Sequence, residues 1–166
     1  KKKKKKKIRR RRQKMIKLAT IFVSISAIAK AFCDSIQFHA SSFPFQGDML
    51  VRRHYDVVSI LDNLIMNAID ACHENGNIEV DYRLLAHEVI FSVHDNGCGI
   101  NKSDYFVVFK PGYSTKFSPH TGKMSTGLGL SHVKDLVERL GGSIKVSSAP
   151  GDTCFTVQIP TAALNA

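Results

Sequence analysis

The chain is poor in the features that most quickly classify a sequence. Its four cysteines, Cys33, Cys72, Cys98 and Cys154, are scattered, with no C-x-x-C pair and no histidine nearby at metal-ligand spacing. That leaves a zinc site without support and makes reduced, structural thiols of an intracellular protein the better reading. No long apolar run exists either. The mostly apolar stretch between Lys17 and Lys30 is 12 residues, too short to cross a bilayer, and no signal peptide is expected. A Walker sequence is missing, because Gly122-Lys123 is followed by Met124 instead of Ser or Thr; this excludes a P-loop, although not phosphate binding. Beyond residue 12 there is also no surplus of basic charge. The first 12 residues hold 11 of the 24 Lys and Arg side chains, leaving 13 against 14 acidic ones for the rest. The net charge of +10 therefore belongs to the tail, and a nucleic-acid groove on the folded body is not expected.

What is present suits one folded domain with a short appendage: 166 residues, 43% of them hydrophobic. Residues 1–13 form a low-complexity basic tail, KKKKKKKIRRRR, that repels itself. Two readings of it stand, a native juxtamembrane segment drawn to anionic lipid and an appended artefact. Residues 14–33 carry apolar side chains at helical spacing, Leu18, Ile21, Phe22, Ile25, Ile28, Ala29 and Phe32. A strand follows in SIQFHASSFPF, ended by Pro44, and then a long helix over about 50–74 that ENGN stops. Alternating β-branched and aromatic residues predict strands at 78–85 and 88–94, joined at Ala86-His87. Residues 96–126 show little periodicity and read as one unusually long loop, the kind that serves as a binding lid or stays disordered. A helix over 128–140 stops at Gly141-Gly142, and GSIKVSSAPGDTCFTVQIP closes the chain as paired strands. Strands grouped with helices between them predict a two-layer α/β sandwich, one mixed sheet with helices on one face.

Within the long helix, ILDNLIMNAID raises a chemical question. Asn63, Asn67 and Asp70 fall within roughly a 60° arc, while Leu64, Ile65, Ala68 and Ile69 cover the rest of the helix away from it and Ile60 borders the arc. A solvent face with short polar residues would explain that stripe. Asparagine, however, is a poor helix former whose amide can hold a ligand. DNGCGI follows a strand and offers Asp95, then Gly97, Gly99 and Ile100, where the backbone turns sharply. It is not a dinucleotide fingerprint, since a third glycine is missing and no helix opens there. STGLGLSHV puts Gly127 and Gly129 at a helix start, where free N–H groups and the helix dipole favour an anion, phosphate above all. FKPGYSTK supplies Tyr113, Ser114, Thr115 and Lys116 within the loop, and GDTCF supplies Thr153 on the last strand.

Together and in this order the clusters resemble the nucleotide-binding fold shared by sensor histidine kinases, type II DNA gyrases, MutL and the large ATP-dependent chaperones, the GHKL group. Asn63-Leu-Ile-Met-Asn67-Ala is similar to the N box and Asp95-Asn-Gly97-Cys-Gly99 to the first glycine box. Phe109-Lys-Pro111-Gly-Tyr113 is similar to a variant F box, and Gly127-Leu-Gly129-Leu to the second glycine box. The likeness covers about residues 35–160; NAIDA, GYSTK and STGLGLSHV most resemble bacterial kinases of the dicarboxylate, citrate and glutamine-sensing type.

The resemblance implies the catalytic domain of a two-component sensor histidine kinase, spanning 34–166, that takes ATP and Mg²⁺. Asn67 would hold the magnesium through its side-chain oxygen, as suits a hard cation that keeps waters. Asp95 would accept a hydrogen bond from the adenine amino group, supported by Thr153 directly or through water. Backbone N–H groups of Thr126, Gly127, Leu128, Gly129 and Leu130 would wrap the phosphates under a lid of residues 101–126, with Lys116 reaching the terminal one. Relatives that hydrolyse ATP carry a glutamate four residues before the magnesium asparagine. This chain has Asn63 there, which is no general base near pH 7. Phosphoryl transfer to an already nucleophilic histidine is therefore expected, with slow hydrolysis. Asp70 departs from the basic residue common at its position, and either faces a metal-bound water or is surface. Gly112 stands where a second phenylalanine is usual.

No histidine precedes His39, and His39, His54, His73, His94 and His132 all lack the acidic neighbour on a long helix that a phosphoacceptor has. The acceptor is expected on a dimerisation domain outside this chain, of which 14–33 is a candidate remnant. The expected partners are that domain and, downstream, a response regulator; the expected setting is the cytoplasmic side of a membrane-associated protein. A hydrolytic ATPase or clamp module of the same fold, and a nucleotide-binding domain without activity, are the alternatives.

Overall fold

A computed structural model describes residues 15–32, 37–40, 48–72, 76–115, 117–118, 123–124 and 126–166. Pro44, His73 and Lys116 lie outside these. In chain order the elements are β1 (Ile16–Lys17), α1 (Leu18–Phe32), β2 (Gln37–Ala40), β3 (Leu50–Val51), α2 (His54–Ala71), β4 (Asn77–Leu84) and β5 (Glu88–Asp95). A 3-10 turn at Lys102–Asp104 follows, then β6 (Phe117–Ser118), β7 (Lys123–Met124), α3 (Gly129–Arg139), β8 (Ser143–Ala149), β9 (Asp152–Pro160) and α4 (Thr161–Asn165).

Strict alternation makes the main sheet. In β5 and β9 every second residue is buried, so one face of each strand is apolar and the other is partly wet. The order is β2-β4-β5-β9-β8; β2 runs parallel to β4 and every other pair is antiparallel. This is the mixed sheet the patterning predicts. Register stacks Val80, Val93, Phe155 and Val146 in one row, and Tyr82, Phe91, Val157 and Ile144 in the next. Helices α1, α2 and α3 pack on that face, and their buried side chains join the same core. Fully buried Leu18, Ile60, Leu61, Leu64, Phe91 and Ile159 each contribute about 1.5–3 kcal/mol by leaving water. The ring of Phe22 in α1 lies 4.6 Å from that of Tyr82 and 5.4 Å from that of Phe91. Burial, and more weakly Asp48, pushes the Tyr82 phenol up to about 12.

Three local features differ from the sequence pattern. The long helix begins at His54 and not near 50, because Leu50–Val51 pairs with Ile16–Lys17 instead. It ends at Ala71, where Cys72 turns extended and the Ala71 carbonyl accepts the Cys98 N–H at 3.1 Å. A fourth helix closes the chain, and its Leu164 carbonyl accepts the N–H groups of Arg52 and Arg53 at 3.0 Å each, which fastens the entry to α2.

Candidate functional site

Two groups of predicted residues meet the same helix, α2, at different heights. At its C-terminal end the first glycine box lies against the helix backbone. A Cβ added to Gly97 would stand 2.6 Å from both the carbonyl carbon and the oxygen of Ala71, so only glycine lets the strand end pass this closely. That approach places Asp95, the last residue of β5, 2% exposed beside α2. Its Oδ1 accepts the Gly97 N–H at 2.9 Å, which fixes the carboxylate plane. Thr153, 3% exposed, is its register partner on β9. A polar pair this buried is costly unless it is satisfied by neighbours or by a ligand.

Thr153 leads to residues that the motifs did not mark. Its Oγ1 lies 2.7 Å from Ser148 Oγ, which also accepts the Ile100 N–H at 2.8 Å. The Ser148 backbone is clasped by the phenol of Tyr105, which donates to the Ser148 carbonyl at 2.5 Å and accepts its N–H at 2.7 Å. Ser148 on β8 and Tyr105 beyond the 3-10 turn thus tie the root of the long loop to the floor beneath Asp95. Neither carried a periodic signal or sat in a motif. The hairpin tip is held as well, since the Gly151 N–H donates to the Gly97 carbonyl at 2.8 Å.

The second group lies one to two turns earlier on α2. Asn63 and Asn67 are half-buried and Asp70 is exposed. Asn63 Nδ2 donates to the Ser59 carbonyl at 2.8 Å. Its Oδ1 is thereby turned toward the start of α3, where a Cβ on Gly129 would come within 3.1 Å of it and 3.9 Å of Asn67 Nδ2. The second glycine box is therefore seated directly on the asparagine stripe. Leu128 and Thr126 are exposed, Gly127 and Leu130 half-buried, and the Ser131 hydroxyl turns back to the Leu128 carbonyl at 3.0 Å. The Ser59 hydroxyl and His132 Nε2, 3.1 Å apart, join α2 to α3 just beside this seat.

The described residues of the loop between the groups have local structure of their own. They include the 3-10 turn and the β6–β7 pair, and Phe109 sets its ring edge-on to Phe155 with centroids 6.3 Å apart. The Gly112 N–H donates to the Gly127 carbonyl at 3.1 Å, which joins the Phe109–Tyr113 segment to the second glycine box. Tyr113 and Ser114 are half-buried and Thr115 is exposed. Desolvation, then a hydrogen bond with the Asp104 carboxylate, raises the Tyr113 phenol.

His54 and His94 lie apart from this chemistry. His54 Nδ1 lies 3.1 Å from the Arg52 carbonyl and His94 Nε2 lies 2.7 Å from Asp152 on the open sheet face. Burial pushes the Cys72 and Cys154 thiols up, which makes them poor nucleophiles. Among the described residues no cluster of three His, Cys, Asp or Glu side chains is placed to hold a metal, and no helix is long and apolar enough to cross a membrane.

The family pattern described as "Histidine kinase-, DNA gyrase B-, and HSP90-like ATPase" matches residues 54–163, from the first residue of α2 into α4. The chain belongs to this ATPase family. Among curated relatives, Sensor histidine kinase GlnK of Bacillus subtilis is 33% identical over 133 residues, covering 80% of this chain and 32% of that protein. Sensor protein CitS of Bacillus subtilis is 36% identical over 107 residues, covering 63% and 19%. The chain thus spans about a third or less of the length of these relatives. Among solved structures, the catalytic domain of histidine kinase ThkA superposes with a TM-score of 0.74 at 24% identity, covering 89% of this chain and 95% of that one. The mycobacterial sensor histidine kinase MprB superposes at 0.73 with 18% identity over 89% and 97%. These superpositions establish the fold, and the sequence relatives make the chain homologous to sensor kinase catalytic domains. The two-layer sandwich and the resemblance to histidine kinases are therefore borne out.

Proposed function

We propose that this chain is the ATP-binding catalytic domain of a two-component sensor kinase, and that it transfers the γ-phosphoryl group of Mg-ATP to a histidine on a separate dimerisation domain. The observation that carries the reading is the convergence on α2 of a buried Asp95–Thr153 floor and the Asn63–Asn67 seat of the second glycine box. A carboxylate fixed by the Gly97 N–H suits the adenine amino group, a neutral donor. Backbone N–H groups at the start of α3 suit the phosphates, with Tyr113, Ser114, Thr115 and Lys116 in the lid closing over them.

The donor set at the asparagine stripe fits a magnesium ion. Asn67 supplies a neutral oxygen from a half-buried amide, next to Asp70 at the exposed edge, where a hydrated hard cation can sit. Bound there, Mg²⁺ would supply charge neutralisation to the phosphates. Asn63 orients rather than deprotonates, because its amide nitrogen is committed to the Ser59 carbonyl and its oxygen is no base. An incoming histidine nitrogen needs no proton removed by the enzyme, whereas water does, so this site favours transfer over hydrolysis. In the cell the acceptor domain and a response regulator would be the partners, on the cytoplasmic side of a membrane-associated protein.

The test uses γ-labelled Mg-ATP with the chain alone and with a histidine-bearing dimerisation domain supplied as a second chain. The expected result is acid-labile label on the acceptor and slow phosphate release without it. Brisk release by the chain alone, with no labelled acceptor, would favour a hydrolytic ATPase module.

A further inference from the structure

The motif residues of the base-binding floor are Asp95 and Thr153, and Ser148 is tied in beside them. Its backbone N–H and carbonyl are both taken by the single hydroxyl of Tyr105, at 2.7 and 2.5 Å. The phenol fills the place that a neighbouring strand residue would take at this edge of β8, so the position of Ser148 is set from both sides. Its Oγ accepts the Ile100 N–H at 2.8 Å and lies 2.7 Å from Thr153 Oγ1.

The direction of that last hydrogen bond follows from counting. A serine hydroxyl has one proton and two acceptor positions. With the Ile100 N–H occupying one position, the Ser148 proton needs an acceptor, and among the described residues Thr153 Oγ1 is the acceptor within reach. Were Thr153 the donor, the Ser148 proton would be left without a partner in a half-buried site, which is the costlier arrangement. Ser148 thus donates to Thr153, and the Thr153 proton is directed away from Ser148.

We infer that Ser148 is a specificity-determining residue for the base: by donating to Thr153 it makes the Thr153 hydroxyl a donor toward the bound purine, directly or through one water. This rests on the adenine-binding reading of Asp95 given above. An adenine edge presents an N6 amino donor beside an N1 acceptor, which matches a carboxylate beside a hydroxyl donor. Guanine and hypoxanthine present an O6 acceptor beside an N1–H donor, which mismatches both. Ser148 is a positioning residue in this scheme, since it acts through Thr153 and does not touch the base.

The experiment is a calorimetric comparison of ATP with 1-deaza-ATP, in which N1 is replaced by CH, on the native chain, Ser148→Ala and Ser148→Thr. The native chain is expected to prefer ATP by about tenfold, the scale of one hydrogen bond. Ser148→Ala, which leaves the Thr153 hydroxyl unheld and free to turn its proton to the carboxylate of its register partner Asp95, should bring the two ligands to within about twofold of each other, and Ser148→Thr, which keeps the hydroxyl, should restore the preference. A purely structural role would weaken both ligands equally and leave their ratio unchanged; that result overturns the inference. Melting curves are taken first, and if Ser148→Ala does not fold, Ser148→Cys, with its weak S–H donor, carries the comparison. A native chain that binds ATP and 1-deaza-ATP equally overturns the inference alone. A native chain that binds neither ligand overturns it together with the nucleotide-binding reading beneath it.

Discussion

The two halves of the candidate site are built on opposite principles. The base-side half, from Asp95 through Gly97 to Ser148 and Thr153, is held by close backbone approach and buried hydrogen bonds, with Asp95 and Thr153 nearly sealed from solvent. The proposed phosphate-side half is more open among its described residues: Gly112, Thr115, Thr126 and Leu128 are exposed, Leu128 by 53%, and a Cβ on Gly112 would meet nothing within 4 Å. A base is a rigid, flat ligand whose edge must be read atom by atom, which needs preorganised groups. Phosphates are held by many equivalent N–H groups, and a segment that closes over them needs freedom to move.

If this contrast is correct, equivalent substitutions should have unequal effects. Gly97→Ala drives a methyl into the Ala71 backbone and should cost about 3 kcal/mol of stability, seen as a lowered melting temperature together with lost ATP affinity. Asn67→Ala should leave the fold intact and lower ATP affinity roughly tenfold in Mg²⁺, with little change when magnesium is chelated; calorimetry in both buffers checks it. Gly112→Ala has open space but a φ of 79°, so the strain is confined to the backbone and should cost about 1 kcal/mol, with ATP affinity nearly native. Equal losses for Gly97→Ala and Gly112→Ala would erase the distinction between the halves.

The smallest effect expected lies on the open face of the sheet, away from both. Burial there raises the Asp81 carboxyl, although Arg83 and a hydrogen bond to Ser92 oppose it. A raised acid binds its proton more tightly when folded. It therefore adds stability below the unfolded value of 3.8 and loses that as pH rises through the folded value. Asp81→Asn should accordingly melt slightly higher than the native chain at pH 7 and no higher at pH 3.

What the sequence reveals follows the same division. The strands β4, β5, β8 and β9 are legible because one buried and one wet face enforce alternation, and α2 is legible because its apolar stripe recurs at helical spacing. Asp95, Gly97 and the asparagine stripe stand out because polar or flexible residues interrupt those patterns. Tyr105 and Ser148 do not, since a tyrosine in a long loop and a serine on an edge strand break no local rule and meet only through tertiary structure. The start of α2 escapes for a similar reason: the Leu50–Val51 pairing with Ile16–Lys17 is decided by residues far apart in the chain.

The central claim is that Asp95 anchors an adenine nucleotide whose phosphates are neutralised at Asn67. The most direct measurement is a calorimetric titration of ATP with and without Mg²⁺ on the native chain and on Asp95→Ala. The expected result is magnesium-strengthened binding to the native chain, weakened about a hundredfold in Asp95→Ala by loss of a buried, charge-assisted hydrogen bond. Absence of ATP binding to the native chain, or binding that Asp95→Ala leaves unchanged, would contradict it.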